Sequence, residues 1–260
     1  YGPPGKEVPF QLKANFPSKK RSILLAFRNL LFPLLNPLFG LVTGAVYTIL
    51  NWILANRPHQ SGTLGKALTD SFRDLVQSPS GIVWALVILL AFIFFTETHK
   101  KVYRYMAGPI HGLSHLLATQ VVGWGATRVT TYLWPNVAPF IQFLATTVGT
   151  FIGGYLVGSF LVGLYLLVSL NIFGRHANEA FSSLRIQDYK NFLRIHIDTN
   201  GVITVFPIGI NKVPRKWIDD NKAGPGNPKL VPKKTEINAH LIESPIRIEF
   251  ERKERLNNED

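Results

Sequence analysis

Cysteine is absent from the 260-residue chain. That excludes disulfides, thiolate nucleophiles and cysteine-ligated zinc. Charge is scarce as well: Asp, Glu, Lys and Arg together make up 17% of the residues, against roughly a quarter in average soluble domains. Acidic groups are the rarer kind, 16 against 28 basic, leaving a net charge of +12. The chain has no phosphate loop ending in Gly-Lys-Ser/Thr, no Gly-x-Ser-x-Gly elbow and no His-Glu-x-x-His helix. It also lacks the Asp, His and Asn residues in separated turns that a two-metal hydrolase needs. Taken alone, the sequence shows no catalytic centre and no cofactor site of its own.

What is abundant is apolar sequence. Hydrophobic residues make up 47% of the chain, and Ala138 to Phe173 contains no charge at all. A bilayer core about 30 Å thick takes roughly 20 mostly apolar helical residues. The expected fold class is therefore an α-helical polytopic membrane protein of about four transmembrane helices, followed by a small C-terminal α+β, hairpin-bearing cytoplasmic domain. Residues 1–29 read as an extended linker and a basic amphipathic segment. Residues 30–173 read as the bundle, with spans near 38–55, 82–98, 110–134 and 139–172. Residues 174–260 read as the soluble domain with its tail.

Basic clusters set the expected topology. Lys19, Lys20, Arg21 and Arg28 precede the first span. Lys100, Lys101 and Arg104 follow the second, and Arg175, Arg185, Lys190 and Arg194 follow the fourth segment. Four spans put all three clusters on the cytoplasmic side, with both termini there, as positive-inside bias requires. Segment 139–172 is either one long tilted helix or two spans broken at Gly153-Gly154, and a fifth span would export the last cluster. The basic excess is read as facing anionic lipid. Nucleic acid is not an expected partner, because no basic patch is interleaved with stacking aromatics. The expected partners are the bilayer and other membrane helices, in a homo-oligomer or a larger complex. Gly40/Gly44, Gly149/Gly153 and Gly154/Gly158 are spaced for close helix packing, with no indication of which helix packs on which.

Local signals give finer expectations. Ile23, Leu24, Phe27, Leu30 and Leu31 suit either an interfacial helix or the start of the first span, with Pro33 and Pro37 breaking the helix after Leu31. Residues 64–76 form an amphipathic helix lying flat on the membrane, with Leu64, Leu68, Phe72 and Leu75 on one face, and Ser80 caps the next helix. That helix runs on into Glu97, His99, Lys100, Lys101 and Arg104, and Gly108-Pro109 breaks the chain. Beyond the bundle, 179–191 is helix-like, 192–197 and 202–206 are strands around the Asn200-Gly201 bend, 219–234 is a loop, and 245–250 is a third strand before a frayed tail.

Two groups carry candidate chemistry. His111 and His115 stand four apart on one helical face, where imidazoles can take a metal or haem iron, although no third ligand is evident. The leading reading places them near the cytoplasmic end of the helix, just after Gly108-Pro109, bonded to backbone or lipid headgroups. Arg175, His176, Asn178 and Glu179 gather at the exit from the bundle as headgroup or docking contacts, or simply as a solvated helix end. Arg128 is expected to snorkel outward.

A family resemblance adds to this reading. It rests on Gly174-Arg175-His176-Ala177-Asn178-Glu179-Ala180-Phe181-Ser182-Ser183-Leu184-Arg185-Ile186 and on Asp188-Tyr189-Lys190-Asn191-Phe192-Leu193-Arg194-Ile195-His196-Ile197. Pro207-Ile208-Gly209 and Val213-Pro214-Arg215-Lys216-Trp217 continue it. Upstream it includes Phe16-Pro17-Ser18-Lys19, Asn29-Leu30-Leu31-Phe32-Pro33, Asn36-Pro37-Leu38-Phe39-Gly40 and His111-Gly112-Leu113-Ser114-His115-Leu116. These stretches resemble the C-terminal half of large bacterial calcineurin-like metallophosphoesterases that carry a membrane domain. The resemblance implies a hydrolase of the bacterial inner membrane whose catalytic domain, with its divalent metal pair, lies upstream of this chain. None of that domain's metal-ligating residues has a counterpart here. The competing expectations are a non-enzymatic accessory subunit of a membrane complex and, more remotely, a transporter or cofactor protein using His111 and His115.

Overall fold

The computed structural model describes residues 12–54, 63–96, 100–220, 224, 229–233 and 236–249. It divides into two compact units, Leu25–Arg185 and a second made of Tyr1–Leu24 with Ile186–Asp260. The first is helical and the second carries the strands. The expected tail at 251–260 and the extended linker up to residue 11 lie outside the described residues.

The chain enters the helical unit through α1 (Lys19–Ala26), a 3-10 turn (Phe27–Leu31) and α2 (Phe32–Leu35), then turns into α3 (Pro37–Leu54). Pro33 does not break this segment, because it sits in the first turn of α2, where its missing N–H costs nothing. The break falls at Pro37, with a 62° bend. α4 (Leu64–Gln77) meets α5 (Pro79–Phe95) at 99°. The cap between them is Ser78 and not Ser80: the Ser78 hydroxyl accepts from the Gly81 N–H at 3.2 Å. α4 packs on the rest of the unit by its small residues. Ala67 and Ser71 are buried, while Leu64 and Phe72 are exposed.

α5 ends at Phe95, with Thr96 closing it, so the expected run-on falls beyond the helix, and residues 97–99 lie outside the described ones. α6 (Lys101–Leu133) then runs unbroken through Pro109. Close packing offsets the lost backbone donor. Gly108 lies so near Ile93 that a Cβ there would stand 2.8 Å from the Ile93 Cα, and the Arg104 Nε donates to the Ile93 carbonyl at 3.1 Å. Next come α7 (Pro139–Gly153), a π turn (Gly154–Gly158) and α8 (Ser159–Phe173). Together they make one continuous 35-residue helix, so of the two readings of this segment the single helix holds. Gly174 ends it at φ +62°, a left-handed value open to glycine, with the Arg175 N–H donating to the Ser169 carbonyl. Short α9 (Ala177–Ser182) follows, so the helix expected over 179–191 stops eight or more residues early. Arg185 and Tyr189 take left-handed backbone, which cannot continue a helix.

Pro139–Phe173, with mean hydropathy 2.1, is long and apolar enough to cross a membrane. Up to three crossings result if each bent pair, Lys19–Leu35 with Pro37–Ile53 and Leu64–Gln77 with Pro79–Phe95, counts as one. α6 is long but too polar to be counted among them. The unit exposes many large apolar side chains and buries polar ones beside its apolar core of Leu50, Val162 and Leu166. Leu34, Leu38, Phe94, Ile110, Phe140 and Ile172 are each more than 60% exposed, while Thr43, Thr119, Thr150, Ser159 and Ser169 are buried. Thr43 and Thr119 donate back into their own helices, to Gly40 and His115, while Ser159 pairs with Thr43 and Ser169 with Tyr103. The paired glycines now have partners. Gly154 backs onto Tyr47 and Gly158 onto Thr43, while Gly44 faces the Phe151 carbonyl. The small faces of α3 and of the π-turn helix are therefore pressed together.

In the second unit, β1 (Lys190–Ile197) and β2 (Ile203–Ile210) form the expected hairpin, with longer arms than expected. Gly201 takes φ +80° at the bend, and the Asp198 carboxylate accepts from the N–H groups of Asn200 and Val202. β5 (Ala239–Leu241) and β6 (Ile246–Ile248) both pair with the far side of β2. The expected loop at 219–234 instead contributes to a small ladder of β3 (Trp217–Asp219) with β4 (Leu230–Pro232). Three-residue strands carry too little alternation to be read from sequence.

Candidate functional site: a buried histidine and tyrosine chain

His111 and His115 lie one turn apart on α6, and the fold buries both. α3 brings Tyr47, whose hydroxyl is 3.0 Å from the His115 Nδ1. The two imidazoles meet through their Nε2 atoms at 3.2 Å. α5 lays Phe92 against them, stacked on His115 with ring centres 4.4 Å apart. α8 lays Tyr165 flat on His111, centres 4.2 Å apart. The Tyr165 hydroxyl donates to Thr96 Oγ1 at 3.1 Å and lies 3.0 Å from the His176 Nε2. Thr96 in turn donates to the Phe92 carbonyl. His176 Nδ1 faces the Glu179 carboxylate at 3.5 Å. A file of rings thus passes from Tyr47 through His115, His111 and Tyr165 to His176.

Proton bookkeeping locates the one defect in this file. If Tyr47 donates to His115, then the His115 Nε2–H donates to His111 and the His111 Nδ1 carries an unused hydrogen. In the opposite sense, His111 donates, Tyr47 accepts, and the His111 Nδ1 is an unused acceptor. Either way His111 Nδ1 has no partner, and it is the one such buried side-chain atom among the described residues.

A separation of 3.2 Å between Nε2 atoms resembles that of two nitrogens on one zinc ion, about 3.3 Å from Zn–N bonds of 2.0–2.1 Å. A resident ion also needs a third ligand, and an acceptor for each outer imidazole N–H. Among the described residues no three His, Asp or Glu side chains gather to hold a metal. His111 and His115 thus stand as a pair with no further ligand beside them among the described residues.

The exit group divides. His176 is buried and Glu179 is its partner, whereas Asn178 is exposed and Arg175 half-buried. Arg128 is exposed, with its guanidinium over Trp124 at 5.9 Å. Sequence reasoning does not single out the tyrosines. The available signal is their place in uncharged helices, where a phenol hydroxyl has no water and must find a partner.

A second polar cluster joins the two ends of the unit. Asn29 is fully buried; its amide donates to the Ala26 carbonyl and its oxygen accepts from the Ser183 hydroxyl at 3.1 Å. Asn36 donates to the Ser183 carbonyl at 3.1 Å, and the Tyr155 hydroxyl donates to Pro33. Ala180 and Leu184 are fully buried alongside. The stretches around Asn29, Asn36 and Ser183 that carry the resemblance, more than 140 residues apart in sequence, meet here. No family model, curated protein or solved structure matches the chain.

Proposed function

We propose that the chain is the membrane-anchoring C-terminal region of a metal-dependent phosphoesterase. It holds an upstream cytoplasmic hydrolase domain at the inner membrane by four helical spans: α3, α5, α6 and the α7–α8 helix. The observation that carries this reading is the bonding of Asn29 and Asn36 to Ser183. Entry and exit of the helical unit are tied at one end, which suits an even number of crossings with both tails in one compartment. The apolar exterior supports hydrocarbon as the surrounding medium. α6 fits as the innermost span, since its polar side chains His111, His115 and Thr119 are the buried ones.

Because the chain has no cysteine, single thiols report its topology directly. Lys20→Cys and Lys212→Cys are expected to react with an impermeant maleimide from one face of the membrane and Asn136→Cys from the other. Opposite labelling of Lys20→Cys and Lys212→Cys would remove the anchor reading. The polypeptide isolated from its native membrane is expected to exceed 260 residues and to hydrolyse p-nitrophenyl phosphate when given Mn²⁺. A product of this length without hydrolysis removes the enzyme.

One observation favours the second reading, a non-enzymatic accessory subunit. Every residue of β1 is exposed, including Phe192, Leu193, Ile195 and Ile197. Such an apolar edge strand suits docking by strand addition. Copurification in fixed ratio with one complex, without phosphatase activity, would select it.

A further inference from the structure

The helical unit holds a chamber of about 650 Å³ that the histidine file does not use. Asn51, Gln120, Thr127, Arg128, Thr146 and Thr150 are among its walls. Hydroxyl and amide side chains share the walls with Trp124, Val137 and Phe143, and Arg128 is the one charged side chain lining it among the described residues. Gln120, half-buried, has no hydrogen-bond partner for its amide among them. The chamber lies toward the Pro139 end of the α7–α8 helix, which Pro135 and Pro139 help to line. The Asn29–Ser183 cluster lies farther along the same helix, where Asn29 and Phe32 back onto Gly163.

Beside the chamber runs a second hollow of about 380 Å³ on the outer face of α3 and α7. Ala45, Ile49, Val148 and Phe151 make its walls apolar. The two hollows share Thr48, Trp52 and Thr147. Trp52 stands at this junction, its indole N–H donating to the Thr147 hydroxyl at 3.1 Å and its ring stacked on Phe143. A polar compartment with one cation thus opens onto an apolar groove across a Trp–Thr sill. That is the division of an amphiphile: headgroup, interfacial linkage, acyl chain.

We propose that this pair of hollows is a binding site for one anionic phospholipid with a hydroxyl-bearing headgroup. The phosphate pairs with Arg128, the headgroup hydroxyls meet the threonine and amide walls, the ester region rests on Trp52, and an acyl chain fills the groove along Val148. Arg128 matches the phosphate in charge, and Arg–phosphate contacts are strong where water is scarce. Trp at this level is the usual anchor between hydrocarbon and headgroups. The site is independent of whether an upstream hydrolase exists.

The test is native mass spectrometry of the full chain, delipidated in detergent and titrated with phosphatidylglycerol, with phosphatidylcholine of the same acyl chains, and with glycerol 1-phosphate. One phosphatidylglycerol is expected to bind at least about tenfold more tightly than phosphatidylcholine, the equivalent of one good charged contact. Glycerol 1-phosphate, lacking the chain, is expected not to bind at the same concentrations. Arg128→Gln should abolish the preference for phosphatidylglycerol, and Val148→Trp, which fills the groove from its exposed side, should weaken both lipids. Equal binding of the two lipids would overturn the proposal, as would phosphatidylglycerol binding unchanged in both variants. Glycerol 1-phosphate binding as tightly as the lipid would overturn it too. If one variant fails to fold, the lipid comparison and the other variant still decide.

Discussion

Gly163→Ala is expected to destabilise the helical unit by about 3 kcal/mol, the upper part of the range for overpacking a filled core. A Cβ at this position on α8 would fall inside the carbonyl oxygen of Asn29 and 2.7 Å from the Phe32 Cβ. These are a backbone atom and the root of a buried side chain, so neither can rotate away. The Asn29 backbone is itself pinned, because its side chain is buried and bonded to Ala26 and Ser183. Relieving the clash would require the whole entry segment to move off α8. Gly125→Ala is the matched control. Its Cβ would meet nothing within 4 Å, and alanine gains up to about 1 kcal/mol over glycine in a helix. Denaturation of the detergent-solubilised protein, followed by tryptophan fluorescence, checks both. Gly163→Ala unfolding at the same midpoint as the unmodified chain would show that α8 and the entry segment do not pack as described.

The second large effect is at Tyr47, whose ring is almost fully buried between α6 and the π turn. Tyr47→Ala is expected to cost about 3–5 kcal/mol, as for other buried aromatic truncations. Tyr47→Phe keeps the ring and removes only the hydroxyl, leaving the His115 Nδ1 without its partner, for about 1–3 kcal/mol. The gap between the two variants separates packing from hydrogen bonding. Adding His115→Leu to Tyr47→Phe removes both halves of the bond, so the double variant should cost clearly less than the sum of the single ones. Strict additivity would mean that the two groups do not interact. The same denaturation measurement reads all of these variants.

The broad division into an apolar helical part and a strand-bearing part is legible in the chain, because long uncharged runs and the Asn200-Gly201 bend are local signals. Pro109 illustrates what is not. Its rule of breaking helices is local, but what lets α6 continue is the close approach of Ile93 to Gly108, a contact between different helices. The expected Ser80 cap is wrong by two residues for a simpler reason: two serines flank Pro79, and the proline prefers the first helical turn, which leaves Ser78 as the cap. At the site, the spacing of His111 and His115 is legible since both are on α6. Tyr47, Tyr165 and His176 come from α3, α8 and the segment after it, and no periodicity within one helix can announce them. Likewise Asn29 reads as an ordinary polar residue until Ser183 arrives from the far end of the unit.

The wide turn at Gly154–Gly158 resets the helix beyond it. A π turn holds one residue beyond the α repeat, and each α-helical residue advances the azimuth by about 100°. The C-terminal half of the long helix is therefore offset by about that angle from where an uninterrupted spiral would leave it. The offset is what aims Val162, Gly163 and Leu166 at the entry segment. Deleting Val157 would remove that extra residue, so a plain α spiral would bring the same half back to the face it now presents, like a key cut one notch shorter that still turns its lock.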